Sequence, residues 1–312
     1  MKQKRVVVTG GAGFIGSHLA EELSRQGYYV VILDNLSTGK KENIKLLLKQ
    51  ENVEFHQGSV TDCPLLQKLF RDVDYVFHLA AIPSVTRSIE DPLASYETNV
   101  TGTLNVLLAA RDNGVKKLIY ASSSSVYGDT PTLPKREDML PNPQSPYAVT
   151  KLASEYYCRV FHQVYELPTI CLRYFNVYGP RQDPNSQYAA VIPRFIDTIS
   201  RGSPPVIFGD GEQTRDFTFV KDVVAANILA AESELTGIFN IGNGESISVN
   251  QLTGLIIKLM GSTLEPIHEA PRLGDIKHSL ADISRARAFG FEPKFSLEAG
   301  IRETKESLKR EA

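Results

Sequence analysis

The serine run Ser122-Ser123-Ser124-Ser125 and the pair Tyr147-x-x-x-Lys151 fall within one stretch of chain and together could move a proton. Lys151 follows Tyr147 at i+4, so on a helix the two side chains share a face. A cation beside a phenol and a helix N-terminus close to it both favour the phenolate, which makes Tyr147 a candidate base near neutral pH. The Ser123 hydroxyl can donate and accept, and could steady that phenolate or a substrate oxygen. Packing and a solvated lysine produce the same spacing, so the chemistry depends on what surrounds the pair.

Secondary structure must deliver these residues to one place. Lys116 to Ala121 is short, apolar and β-branched, and reads as a buried strand whose carboxyl end presents Ser122 to Ser125. Ser145 and Pro146 suit an N-cap and first helical position, with Tyr147 in the opening turn of a helix reaching about Tyr165. At the amino end, the strand Arg5 to Thr9 runs into Gly10-Gly11-Ala12-Gly13-Phe14-Ile15-Gly16 and a helix. Gly10 permits the tight turn, Gly13 lets backbone approach a pyrophosphate, and Gly16 lets the helix pack closely on the strand. The next strand, Tyr29 to Leu33, ends in Asp34, whose carboxylate can take both hydroxyls of a ribose. No arginine follows Asp34 directly, which favours NAD over NADP.

The alternation continues with strands at Val53 to His56 and Val73 to Leu79, a short helix from Pro64 to Phe70, and a helix from Asp91-Pro92 to Arg111 ended by Asn113-Gly114. The pattern predicts an α/β fold: a doubly wound, Rossmann-like parallel sheet with a smaller α/β substrate-binding lobe. Gly10, Asp34, Ala80 and Ser122 all fall at strand carboxyl ends, where such sheets bind ligands. His78 reads as a satisfied, half-buried residue, since no second ligand lies at metal spacing. After Arg173 the chain turns rich in Gly, Pro and Asn. Residues 1–173 are assigned to the dinucleotide domain, with 217–241 returning to it, and 174–216 with 242–312 to the second lobe. Ser248 and Gln251 form a capping box, and Asp282 and Ser296 suit N-caps of the last two helices, with Gly290 between them. Arg215 and Arg272 are either solvated charges or a clamp for a diphosphate.

Thirty-four basic and thirty-six acidic residues leave a net charge of -2 with no basic block, so neither nucleic acid nor an anionic membrane is implied. Cys63, Cys158 and Cys171 are odd in number and widely spaced, which suits a reducing cytoplasm and forms no metal motif. Nothing reads as a signal peptide or membrane span, and no metal is expected.

The glycine turn, Asp34-Asn35, His78-Leu79-Ala80-Ala81, the serine run ending Val126-Tyr127-Gly128, Tyr147-x-x-x-Lys151 and Arg173-Tyr174-Phe175-Asn176-Val177-Tyr178-Gly179-Pro180 resemble, nearly end to end, the extended short-chain dehydrogenase/reductase family. Within it the chain is most similar to nucleotide-sugar 4-epimerases of the UDP-N-acetylglucosamine group. The resemblance implies NAD held by Gly10, Gly13, Phe14, Ile15, Gly16, Asp34, Asn35, Ser37, Thr38 and Gly39, with Leu79, Ala80, Ala81, Asn99, Ser122 and Tyr174 nearby. It makes Ser123, Tyr147 and Lys151 the catalytic set, with Tyr147 and Lys151 also touching the cofactor. It puts Ser84, Ser123, Ser124, Tyr147 and Asn176 at the sugar and diphosphate, Val191, Ile192 and Phe208 at the uridine, Arg215 and Arg272 at the diphosphate, and Asp275 at the uridine ribose. Ser279 would flank the C2 substituent, where the family's tyrosine excludes acetylated sugars. Ser59 departs from the family's acidic residue near the adenine. Related 4,6-dehydratases carry an acid where Ser124 stands, and glucuronate epimerases tend to carry threonine where Asn176 stands. The resemblance further implies a homodimer through helices near residues 92–111 and 147–165. The alternatives are a UDP-glucose/UDP-galactose 4-epimerase and a non-catalytic NAD sensor on the same fold.

Overall fold

The apolar runs need partners on both faces, and they find them in the middle of a layered sheet. The structure, a computed structural model, describes residues 3–183, 191–271 and 277–311. Over these the chain forms β1 (Arg5–Thr9), β2 (Tyr29–Asp34), β3 (Val53–Gln57), β4 (Tyr75–His78), β5 (Lys117–Ser123) and β6 (Thr169–Tyr174). The strand Gly237–Ile241 returns beside β6, completing a seven-stranded sheet in the order Gly237–Ile241, β6, β5, β4, β1, β2, β3. Every pairing is parallel. Val6, Val7 and Val8 are wholly buried because helices cover both faces, which explains a run of three valines where a one-sided sheet would alternate.

The covering helices are α1 (Phe14–Arg25), α2 (Cys63–Leu69), α3 (Val85–Glu90), α4 (Pro92–Tyr96), α5 (Gly102–Asp112) and α6 (Pro146–Tyr165). Leu19 and Leu23 of α1 join one core with Val224 and Ile228 of the helix Val220–Glu232, while Val106, Leu107 and Phe161 build the core on the opposite face. Strand order reverses on either side of β1, which pairs with β2 and β4, and the crevice opens there at the strand carboxyl ends. The helix expected over 92–111 is interrupted by a π turn at Glu97–Thr101 that carries Asn99 inward.

The helices Val191–Ser200, Val249–Met260 and Leu297–Glu311 share a further core containing Ile192, Phe195, Ile196, Leu252, Ile256 and Ile301. The Ser248/Gln251 capping box is present, and Gly261 ends that helix in the left-handed region. Asp282 does not start an α-helix: its carboxylate accepts from Ser284 N–H at 2.9 Å, and only a 3₁₀ turn, Ala286–Phe289, follows before Gly290. No helix among the described residues is long and apolar enough to cross a membrane.

Candidate active site

Two glycines shape the cofactor side. Gly10, at φ +70°, lies so close to β4 that a Cβ would stand 2.7 Å from Ala80 N, and a Cβ on Gly16 would stand 2.2 Å from the Gly10 oxygen. Gly13 is the N-cap of α1 and has no side chain to satisfy the first-turn N–H groups, so they remain available to an anion. Asp34 is held from two sides, accepting from Ala12 N–H at 3.0 Å and Leu36 N–H at 2.8 Å. A cavity of about 280 Å³ runs from these residues to Tyr147 and Lys151. Its donor set, a backbone anion cradle followed by a carboxylate, fits a dinucleotide.

Most residues expected at the cofactor line this cavity: Gly10, Gly13, Phe14, Ile15 and Gly16, then Asp34, Asn35, Ser37, Thr38, Leu79, Ala80, Ala81, Ser122 and Tyr174, with Tyr147 and Lys151. Gly39 and Asn99 do not. Gly39 lies behind Asp34, where its Cβ would meet the carboxylate at 2.8 Å. Asn99 spends its amide on the loop beneath, accepting from Ile82 N–H at 2.8 Å and donating to Thr150 Oγ1 at 3.1 Å. The wall also includes Ser59, at the position the family resemblance put near the adenine, with Gly58, Val60 and Thr98, which sequence reasoning did not assign. The position of Gly58 to Val60 just past the end of β3 was the signal available for them.

Ser145 caps α6 by accepting from Ala148 N–H at 3.2 Å, and Ser88 Oγ accepts from Tyr147 N–H at 3.0 Å. Nothing in the sequence pointed to Ser88. Ser123 accepts from Ser125 N–H at 3.1 Å, which leaves its own proton free for the phenol or a substrate oxygen. The expectation that Lys151 and the helix end lower the Tyr147 pKa is not met. Burial raises it, hydrogen bonding with Ser123 lowers it less, and the lysine is turned to the Ala121 carbonyl at 2.8 Å. Lys151 Nζ lies 5.8 Å from the Tyr147 ring centre and 5.0 Å from that of Tyr120. Desolvation in turn lowers Lys151 to about 8, opposed by the nearby Glu155 carboxylate. His78 is fully rather than half buried, between Thr9 Oγ1 at 2.7 Å and Thr103 Oγ1 at 2.9 Å; burial and Lys151 lower it to about 3, and it stays neutral.

The residues expected at the substrate are more scattered. Ser84 caps α3, and its hydroxyl accepts from Arg87 N–H. Ser124 opens the short turn after β5. Asn176, at φ +29°, donates to the Asp216 carbonyl at 3.0 Å. Ile192 is fully buried in the lobe's core because it shares the apolar face of its helix with Phe195, Ile196 and Ile199, whereas Val191 is partly exposed. Phe208 packs under the Arg194 guanidinium at 5.6 Å. Arg215 donates to the Thr214 carbonyl at 2.9 Å and the Lys277 carbonyl at 3.3 Å, and Ser279 N–H bonds the Thr214 carbonyl at 3.1 Å, which places the two residues side by side. Arg272 and Asp275 lie outside the described residues. Asp216 was missed; its buried carboxylate, raised to about 6 by desolvation, gathers Asn243, Gly244 and Ala281 N–H groups at 2.7 to 3.1 Å.

This chain belongs to the NAD dependent epimerase/dehydratase family of extended short-chain dehydrogenases/reductases, which its residues 6–242 match. NAD is its cofactor. It is 41% identical to the UDP-glucose 4-epimerase of Mycolicibacterium smegmatis over 312 residues, covering 99% of each chain. Among solved structures it resembles UDP-N-acetylglucosamine 4-epimerase from Methanobrevibacter ruminantium in complex with UDP-N-acetylmuramic acid, at 45% identity and TM-score 0.97 over 100% of both chains. It also resembles the Thermus thermophilus UDP-glucose 4-epimerase complex with NAD, at 39% identity and TM-score 0.89 over 98% of this chain and 99% of the other.

Proposed function

We propose that this NAD-dependent UDP-sugar 4-epimerase acts mainly on UDP-N-acetylglucosamine and UDP-N-acetylgalactosamine. The observation that carries the sugar preference is the small residue Ser279, whose backbone N–H shares the Thr214 carbonyl with the guanidinium of Arg215, the candidate diphosphate residue. A serine there leaves volume for an acetamido group at C2, which a tyrosine would fill. NAD, held by the glycine turn and Asp34, would supply a reversible acceptor for the C4 hydride and, when oxidised, a positive charge at its nicotinamide ring. Tyr147 takes the C4 hydroxyl proton and gives it back, while Ser123 hydrogen-bonds the reacting oxygen. Arg215, with Arg272 and Asp275, holds the UDP while the 4-keto sugar turns its other face; Asn176, Val191 and Phe208 complete the lobe's side of the site. Holding the diphosphate tightly and the hexose loosely is what permits that rotation.

Proton NMR with UDP-N-acetylglucosamine and then UDP-glucose, adding no NAD, tests the reading. The galacto product should form mainly from the acetylated sugar, and Ser279→Tyr should cut that rate at least tenfold while sparing UDP-glucose. Faster turnover of the plain sugar by the unaltered protein would favour UDP-glucose/UDP-galactose epimerisation instead.

We further propose a homodimer, and a cytoplasmic setting that the three free cysteines suit. On adjacent helices α4 and α6, Leu93 (79% exposed), Tyr96, Tyr156, Val160 and Val164 (63% exposed) leave an apolar face in water. A second copy pairing the same helices would cover it as a four-helix contact. Sedimentation at micromolar concentration should give twice the chain mass, and Val160→Glu should give one; a monomeric unaltered protein would refute the dimer.

A further inference from the structure

The sequence reading left Glu155 and Arg173 without a role, yet both are buried at the floor of the site. Glu155 Oε1 accepts from Ser122 Oγ at 2.5 Å and from Arg173 Nε at 2.8 Å, and Oε2 accepts from Arg173 Nη2 at 2.6 Å. The side chains are 0% and 2% exposed. Such a pair gains little stability over apolar residues of the same size, because desolvation offsets the attraction. Its geometry is not the best for stability either, since Arg173 Nη1 is buried with no partner while the guanidinium stacks 4.6 Å from the Tyr127 ring centre.

We propose that Glu155 and Arg173 are positioning residues for the C4 chemistry: the clamped carboxylate orients the Ser122 hydroxyl in the cavity wall and supplies the anion that keeps Lys151 charged. With its proton given to Glu155, Ser122 presents only acceptor lone pairs to the cavity. Lys151, one helical turn before Glu155, is faced from β5 by Tyr120 and the Ala121 carbonyl, from β4 by His78, from β6 by Cys171, and from its own helix by Tyr147 and Cys158. Among the described residues, Glu155 is the carboxylate that acts on Lys151, and it brings a full negative charge.

The inference rests on the epimerase reading, so its test has one arm with substrate and one without. Glu155→Gln alone strands a buried guanidinium; the double variant Glu155→Gln/Arg173→Met removes both charges at similar volume. In the double variant the alkaline limb of the kcat/KM profile should move down by about one pH unit, with KM for UDP-N-acetylglucosamine nearly unchanged. In protein stripped of NAD, the Tm difference made by Lys151→Met should begin to shrink at a lower pH in the double-variant background than in the unaltered one. A Tm shift without turnover of any UDP-hexose by the unaltered protein would support the clamp and sink the substrate reading. A folded double variant with an unmoved limb and an unmoved Tm window would overturn the proposal.

Discussion

Replacing Tyr147 with phenylalanine is expected to lower kcat by about 10³, with KM for the UDP-sugar and the content of bound NAD close to unchanged. In the proposed cycle the Tyr147 oxygen takes the C4 hydroxyl proton in one half and returns it in the other, with Ser123 hydrogen-bonded to it. Because burial raises its pKa, the fold alone does not supply the phenolate; in the proposed cycle, bound oxidised NAD would add the positive charge that favours it. Tyr147→Phe should therefore also abolish the pH dependence that the phenol imposes on the residual rate. Stability should change by only about 1 kcal/mol, the worth of one hydrogen bond to Ser123. Single-turnover NMR rates and the absorbance of retained cofactor decide the matter; a rate within tenfold of the original would mean that another group carries the proton. It would also revive the non-catalytic NAD sensor if the unaltered protein turned over no UDP-hexose.

Lys151→Met should have opposite effects on activity and stability. Activity should fall by about 10² or more, since the cation that the family resemblance puts at the cofactor beside Tyr147 is lost. The NAD-free protein should become more stable. Desolvation lowers Lys151 from an ordinary 10.5 to about 8, a cost of about 3 kcal/mol whenever it is charged in the fold, against about 1 kcal/mol for the lost bond to the Ala121 carbonyl. The unfolded chain binds the extra proton between pH 8 and 10.5, so the native state of the unaltered protein gains on its own unfolded state as pH rises through that window. The advantage of methionine is thus fully present at pH 8 and below and fades toward pH 10.5. Thermal melts of both proteins at pH 7 and pH 10 would show it; a methionine variant less stable at pH 7 would mean that Lys151 is better solvated or paired than its 3% exposure implies.

The sequence alone determined what depends on local spacing. The glycine turn, the Asp34 strand end, the Ser145-Pro146 cap and the i+4 placement of Lys151 are set by backbone sterics and helical periodicity, and each is present as read. Tertiary structure decided what depends on burial and on partners far along the chain. Periodicity puts Tyr147 and Lys151 on one face, but only packing against β5 turns the lysine to a carbonyl, and at Tyr147 desolvation outweighs the Ser123 hydrogen bond. Asn99 is drawn to Ile82 and Thr150 by a π turn that no residue pattern announced, and Ile192 follows the apolar face of its helix into the core. Glu155 stands in plain view one turn past Lys151, but Arg173 is 18 residues further along and reaches it only because β6 lies beside β5. Electrostatics of this kind depends on distance and solvent in three dimensions, and a linear spacing fixes neither.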